Sequence, residues 1–171
     1  MKTRRLYLDT CVLVGFYDNQ DHYNQEIIKF FKRISEDVKS KKIKLYCSIF
    51  SIVEFTKIMI DSPHISHIPR ATMLNYRDEM LNFEKIGEYP ITIINLEKWY
   101  GEAKEAFKEF FLRDLQNVWL DVKDPQKNPP HLADAIHATI MKKRKITEIV
   151  TFDTNHFDNI KDVKPILPKD V

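Results

Sequence analysis

Apolar positions along the chain follow two periods. Leu6-Tyr7-Leu8 and Ile149-Val150-Thr151-Phe152 are short, nearly continuous apolar runs, as in strands covered on both faces, and each leads straight into an aspartate, Asp9 and Asp153. Ile43, Leu45 and Cys47 alternate and predict a short second strand, and Ile91-Thr92-Ile93-Ile94 predicts a third. Val163 to Leu167, hemmed by prolines, predicts a weak edge strand. Between these runs the spacing turns helical. Tyr23, Ile27, Phe30, Phe31, Ile34 and Val38 share one face of a helix that Asp21 or Asn19 can cap. Ser48 opens another through Ile49, Ile52, Val53 and Ile60. Asp61 to Pro69, with two prolines and two histidines, reads as a loop, and a helix from about Arg70 to Lys85 follows. Trp99, Ala103, Ala106, Phe107, Phe110, Phe111 and Leu115 form the widest amphipathic stripe. After the stop at Asn128-Pro129-Pro130, a last helix runs from about Leu132 to Arg144. Strands alternating with helices predict an α/β fold whose central sheet, of four to five strands, is mainly parallel and flanked by helices.

Four acids interrupt this pattern. Asp9 and Asp153 end strands, and Glu54 and Asp134 lie inside apolar helical stretches. Each has an ordinary explanation. Asp9 can cap the next helix, Phe152-Asp153-Thr154-Asn155 can be a turn, and Asp134 suits the first turn of its helix. Ser51-Ile52-Val53-Glu54 fits a capping box, but Ser48 directly follows a strand and is better placed to start the helix, which puts Glu54 too deep for a cap. Buried carboxylates are costly unless paired or bound to metal, and ligands of parallel sheets bind at the carboxyl ends of the strands. Four carboxylates in one pocket need a cation, and oxygen-only ligands suit Mg²⁺ or Mn²⁺. The expected chemistry is metal-assisted hydrolysis of a phosphodiester, with Asp9, Glu54, Asp134 and Asp153 as catalytic metal ligands and Thr10 and Asn155 assisting the ion or its water.

Leu6-Tyr7-Leu8-Asp9-Thr10, Ser51-Ile52-Val53-Glu54, Leu132-Ala133-Asp134-Ala135-Ile136-His137-Ala138 and Val150-Thr151-Phe152-Asp153 resemble the motifs of the PIN-domain family, most closely its VapC-type toxins. The motifs keep the family's order, and the step of 19 residues from Asp134 to Asp153 is similar too. The resemblance implies a PIN-like three-layer fold, a Mg²⁺- or Mn²⁺-dependent endoribonuclease acting on RNA, frequent homodimers and a cognate antitoxin. Two departures stand out. The gap between Glu54 and Asp134 is long, so residues 1–171 read as one domain carrying a helical insertion at about 61–90. Cys11 also stands where a small polar residue is often found. Alternatives within the family are a ribonuclease of RNA processing and a module that binds RNA or protein without cutting; the complete acid set argues against the latter. A phosphatase of the haloacid-dehalogenase type needs a second aspartate where Cys11 stands, and is excluded.

Composition adds limits. Of 171 residues 43% are apolar and 30% charged, as in globular proteins, and three glycines are too few for a β-sandwich or barrel. The net charge of +2 permits nucleic-acid binding without arguing for it. Cys11 and Cys47 have no metal-binding spacing and read as reduced core thiols. The apolar stretch of the basic N-terminus is broken at Asp9, which does not fit a signal peptide, and no apolar run approaches the ~20 residues of a membrane span. The chain therefore reads as soluble and cytoplasmic, with no membrane partner. His64 and His67 read as loop residues, His137 as a satisfied core residue and His156 as a candidate phosphate contact. Lys142-Lys143-Arg144-Lys145 reads as solvated charge complementing a helix C-terminus.

Overall fold

A computed structural model of the chain describes residues 3–62, 65, 67–95, 109–124, 126–127 and 130–171. Among these residues six strands form its sheet: β1 (Arg4–Leu8), β2 (Ile43–Ser48), β3 (Lys85–Ile86), β4 (Tyr89–Ile94), β5 (Glu148–Val150) and β6 (Lys164–Ile166). Their order is β3-β4-β2-β1-β5-β6. All neighbours are parallel except β3, which pairs antiparallel with β4. The central strand β1 sets Leu6 opposite Leu45 on one side and Leu8 opposite Val150 on the other.

Alternate residues of a strand face opposite sides of a sheet, and here both sides are covered. Leu6 and Leu8 pack with Leu45 and Val150 under α1 (Thr10–Tyr17), α2 (Asn24–Lys39), α3 (Ile49–Asp61) and α4 (Arg70–Phe83). Tyr7, Tyr46 and Ile149 face the second core, formed with α5 (Leu115–Leu120), α6 (Leu132–Lys143) and α7 (Thr154–Asp158). A π-helical turn, Phe110–Asp114, runs into α5. Leu6, Tyr7 and Leu8 are fully buried, and each of the two leucines is worth roughly 1.5–3 kcal/mol of transfer free energy. The three layers and the mainly parallel sheet are those expected from the sequence pattern.

Several boundaries differ from the expectation. The sheet has six strands rather than four to five, because β3 is a two-residue strand too short to show any periodicity. The helix expected to reach Lys85 stops at Phe83, where Glu84 turns left-handed at φ 47°. Gly87, at φ 57°, then makes the two-residue turn that sets Ile86 opposite Tyr89, so the 61–90 stretch is only partly helical. The strand expected to run to Phe152 stops at Val150, and a short helix, α7, begins at Thr154. Trp99 to Phe107 lie outside the described residues; of the same stripe Phe110 and Leu115 are buried, and the helical path continues to Leu120.

From β1 the chain passes to β2 and β4 on one side and returns to β5 and β6 on the other. The order reverses between β1 and β5. In open α/β sheets the crevice above the carboxyl ends at such a point is where ligands bind.

Candidate active site

Asp9 directly follows β1 in that crevice, with a relative exposure of 8%. It caps α1, accepting from the Thr10 amide at 2.7 Å through Oδ1. Oδ2 accepts from the Thr151 hydroxyl at 2.6 Å and the Cys11 thiol at 3.3 Å. Thr151 in turn accepts from the Asp153 amide at 3.0 Å, so one hydroxyl ties the segment after β5 to the end of β1. The capping explanation of Asp9 is correct and does not exhaust the residue: one oxygen caps, the other is held by the neighbouring strand's extension.

Glu54 comes from α3. Ser48 is the N-cap of that helix, closing a capping box with Ser51, so Glu54 lies inside the helix and caps nothing. Its Oε2 accepts from the Thr10 hydroxyl at 2.8 Å and from His137 Nε2 at 2.8 Å. His137 Nε2 also lies 3.9 Å from Asp9 Oδ1, so the imidazole stands between the two acids. Behind it, Nδ1 meets the Tyr7 hydroxyl at 2.9 Å, and that hydroxyl lies 2.8 Å from Ser48 Oγ and 3.0 Å from Ser51 Oγ. Burial opposes ionisation of Glu54, but the hydrogen bond and charge of His137, with the Thr10 hydroxyl, outweigh it and hold the carboxyl below its ordinary value.

Asp134 lies in the first turn of α6, one helical turn before His137. Its Oδ2 is buried with no hydrogen-bond partner among the described residues, and His156 Nδ1 stands 3.5 Å away as an ion-pair neighbour. Burial pushes the Asp134 carboxyl up, and the charge of Asp9 adds to the effect against the opposing pull of His156, His137 and His131. Asp153 differs from its expected place. β5 stops three residues earlier, the Asp153 side chain is 67% exposed, and among the described residues its carboxylate meets the group at His156, 3.8 Å away. Asn155 is exposed on α7, whereas Thr10 is buried and binds Glu54 directly.

The structure thus joins Asp9 and Glu54 through Thr10 and His137, and sets Asp134 and the more exposed Asp153 beside His156. Among the described residues, no three His, Cys, Asp or Glu side chains stand together as a ready-made metal-binding group. The donor set nevertheless fits a hard divalent cation. It is dominated by carboxylate oxygens, and one of these is a buried acceptor without a hydrogen bond. Cys11 and Cys47 are free thiols. Burial, and for Cys11 the charge of Asp9, pushes the Cys11 thiol well up, while burial pushes Cys47 up to about 12. Neither would be an anionic nucleophile near neutral pH.

Two contributors were not picked out from sequence. Thr151 looks like any β-branched strand residue. His137 is the buried, satisfied core residue expected of it, but one of its two partners, beside Tyr7, is Glu54; its i+3 spacing from Asp134 was the available signal. His64 lies outside the described residues, while His67 pairs with Asp18 at 2.9 Å, away from the acids.

No family model matches the sequence, and no curated protein shows a significant match. Solved structures do match in fold. VapBC2 of Rickettsia felis, bound to a DNA fragment from its promoter, aligns at a TM-score of 0.59 and 12% identity, over 95% of this chain and 98% of the other. VapC20 of Mycobacterium tuberculosis, a Sarcin-Ricin loop cleaving toxin, aligns at 0.53 and 13% identity, over 94% and 99%. FitAB bound to the IR36 DNA fragment aligns at 0.52 and 16% identity, over 95% and 94%. At these identities the likeness establishes the fold, and it is the PIN-like fold that the sequence motifs implied.

Proposed function

We propose, from that shared fold, that the chain is a metal-dependent endoribonuclease and the toxin of a toxin–antitoxin pair. The observation that carries the reading is the Asp9–His137–Glu54 cluster at the sheet's reversal point, with Asp134, one helical turn before His137, carrying a buried and unbonded Oδ2. Asp9, Glu54, Asp134 and Asp153 would hold Mg²⁺ or Mn²⁺, which when bound supplies an activated water and offsets charge on the phosphate. The chain's own residues position that set. Thr151 and the Thr10 amide fix both oxygens of Asp9, and Thr10 and His137 fix Glu54. Tyr7, braced by Ser48 and Ser51, holds the His137 ring from behind. His156, partly exposed between Asp134 and Asp153, is placed to meet a phosphate oxygen of the RNA.

The VapBC2 and FitAB structures support an antitoxin as partner, and self-association into a homodimer belongs to the same reading. No helix among the described residues is long and apolar enough to cross a membrane. Purified protein should cut RNA in Mg²⁺ or Mn²⁺ and stop in EDTA. Its expression should arrest growth, with rescue by the product of a neighbouring reading frame. Cutting without any effect on growth would move the assignment to RNA processing, and no cutting under any metal would end it.

A further inference from the structure

A column of three aromatic rings starts at Phe152, the residue between Thr151 and Asp153. Phe152 lies between Thr151, which holds Asp9, and Asp153. Its ring packs against the core under α1 and α2. Tyr23 stacks on it with centroids 3.8 Å apart and planes 12° from parallel. His22, exposed just before α2, continues the column, its ring centroid 3.6 Å from that of Tyr23 at 42°. Tyr23 against Phe152 would suffice to pin the segment after β5 to α2. The His22 ring adds little to a core, since it is in solvent, yet it extends the π-surface outward from a point one residue from Asp153.

We propose that His22, Tyr23 and Phe152 form a stacking seat for a nucleobase next to the phosphate that is cut. The inference rests on the ribonuclease reading and deepens it. Each phosphate in an RNA strand is flanked by bases, and unstacked bases bind aromatic rings through their π-faces. Rings read a base's face more than its hydrogen-bonding edge, so the seat sets which phosphate is presented to the acids more than which sequence is chosen.

The test uses a short single-stranded RNA carrying 2-aminopurine beside the cleaved phosphate, a base whose fluorescence is quenched on stacking. His22→Ala should raise KM about 5-fold or more, the low end of what one stacked base contributes, while kcat changes by less than about two-fold. His22→Phe should restore KM, which a purely structural role would not produce. Binding of the same RNA to the Asp9→Asn protein should quench the probe, and adding His22→Ala should relieve the quench. Tyr23→Leu should act like His22→Ala provided that it folds, and the exposed position 22 decides the matter if it does not. Unchanged KM in His22→Ala, or a quench indifferent to residue 22, overturns the seat. A wild-type protein that binds the probe with a residue-22-dependent quench but cuts no RNA upholds the seat and overturns the ribonuclease reading.

Discussion

Asp134 Oδ2 and the Glu54 carboxylate meet opposite treatment within one crevice. Burial, helped by the charge of Asp9, raises the Asp134 pKa, so that its ionised form weakens the fold. A raised pKa gives stability that is present below the unfolded value and lost as pH climbs through the folded one. Asp134→Asn should therefore stabilise the protein in EDTA at neutral pH by about 1 kcal/mol, or roughly 2–4 °C in Tm for a chain of this size. Mn²⁺ should raise the melting temperature of the wild type and leave the variant's nearly unmoved; an equal rise in both would remove Asp134 from the ion's ligands. Glu54 runs the other way. Its lowered pKa gives stability that is present above the ordinary carboxylate value and lost as pH falls through the folded one. His137→Ala should reduce that acid-range dependence, leaving the part due to Thr10, and cost about 2 kcal/mol in denaturant unfolding, because it strips one hydrogen bond from Glu54 and another from Tyr7.

The elements that carry these residues are set by short local signals. Ser48 ends β2, caps α3 and touches the Tyr7 hydroxyl, so one small side chain fixes both the start of the helix bearing Glu54 and the brace behind His137. Ser48→Ala should cost about 1–2 kcal/mol, visible as a lower urea midpoint at unchanged slope, and should reduce cleavage as Glu54 loses its bearing. An unchanged midpoint would show that Ser51 alone can start the helix. The position of Glu54 was legible in the chain because Ser48, and not Ser51, follows the strand. Asp9 was legible because its apolar run is unbroken up to the acid. The exposure of Asp153 was not: Thr151 and Phe152 look like strand, but Thr151 spends its hydroxyl on Asp9 and its amide on Ile166, and the chain leaves the β1–β5 ladder at Val150. β3 was illegible for a plainer reason, since two residues carry no period. The rings of Tyr23 and Phe152 looked like core in sequence, and only the fold stacks them on each other.

Across the whole molecule, the reversal of strand order between β1 and β5 gathers residues from far along the chain. Asp9 comes from the first strand, Glu54 from the helix after the second, and Asp134 and Thr151 from the C-terminal third. Two cores, one on each face of the sheet, hold that edge, and a hydroxyl–imidazole–carboxylate chain runs across it from Ser48 to Glu54. The acids are therefore placed by the fold's topology and oriented by their neighbours, which separates loss of chemistry from loss of structure. The proposed cutting of RNA by this carboxylate set is read directly from cleavage by an Asp9→Asn, Asp134→Asn double variant in Mg²⁺ or Mn²⁺, beside its circular dichroism. A native spectrum with cleavage reduced at least ~100-fold is expected, as when residues acting as a unit are removed together. Full cutting by the folded double variant would contradict it.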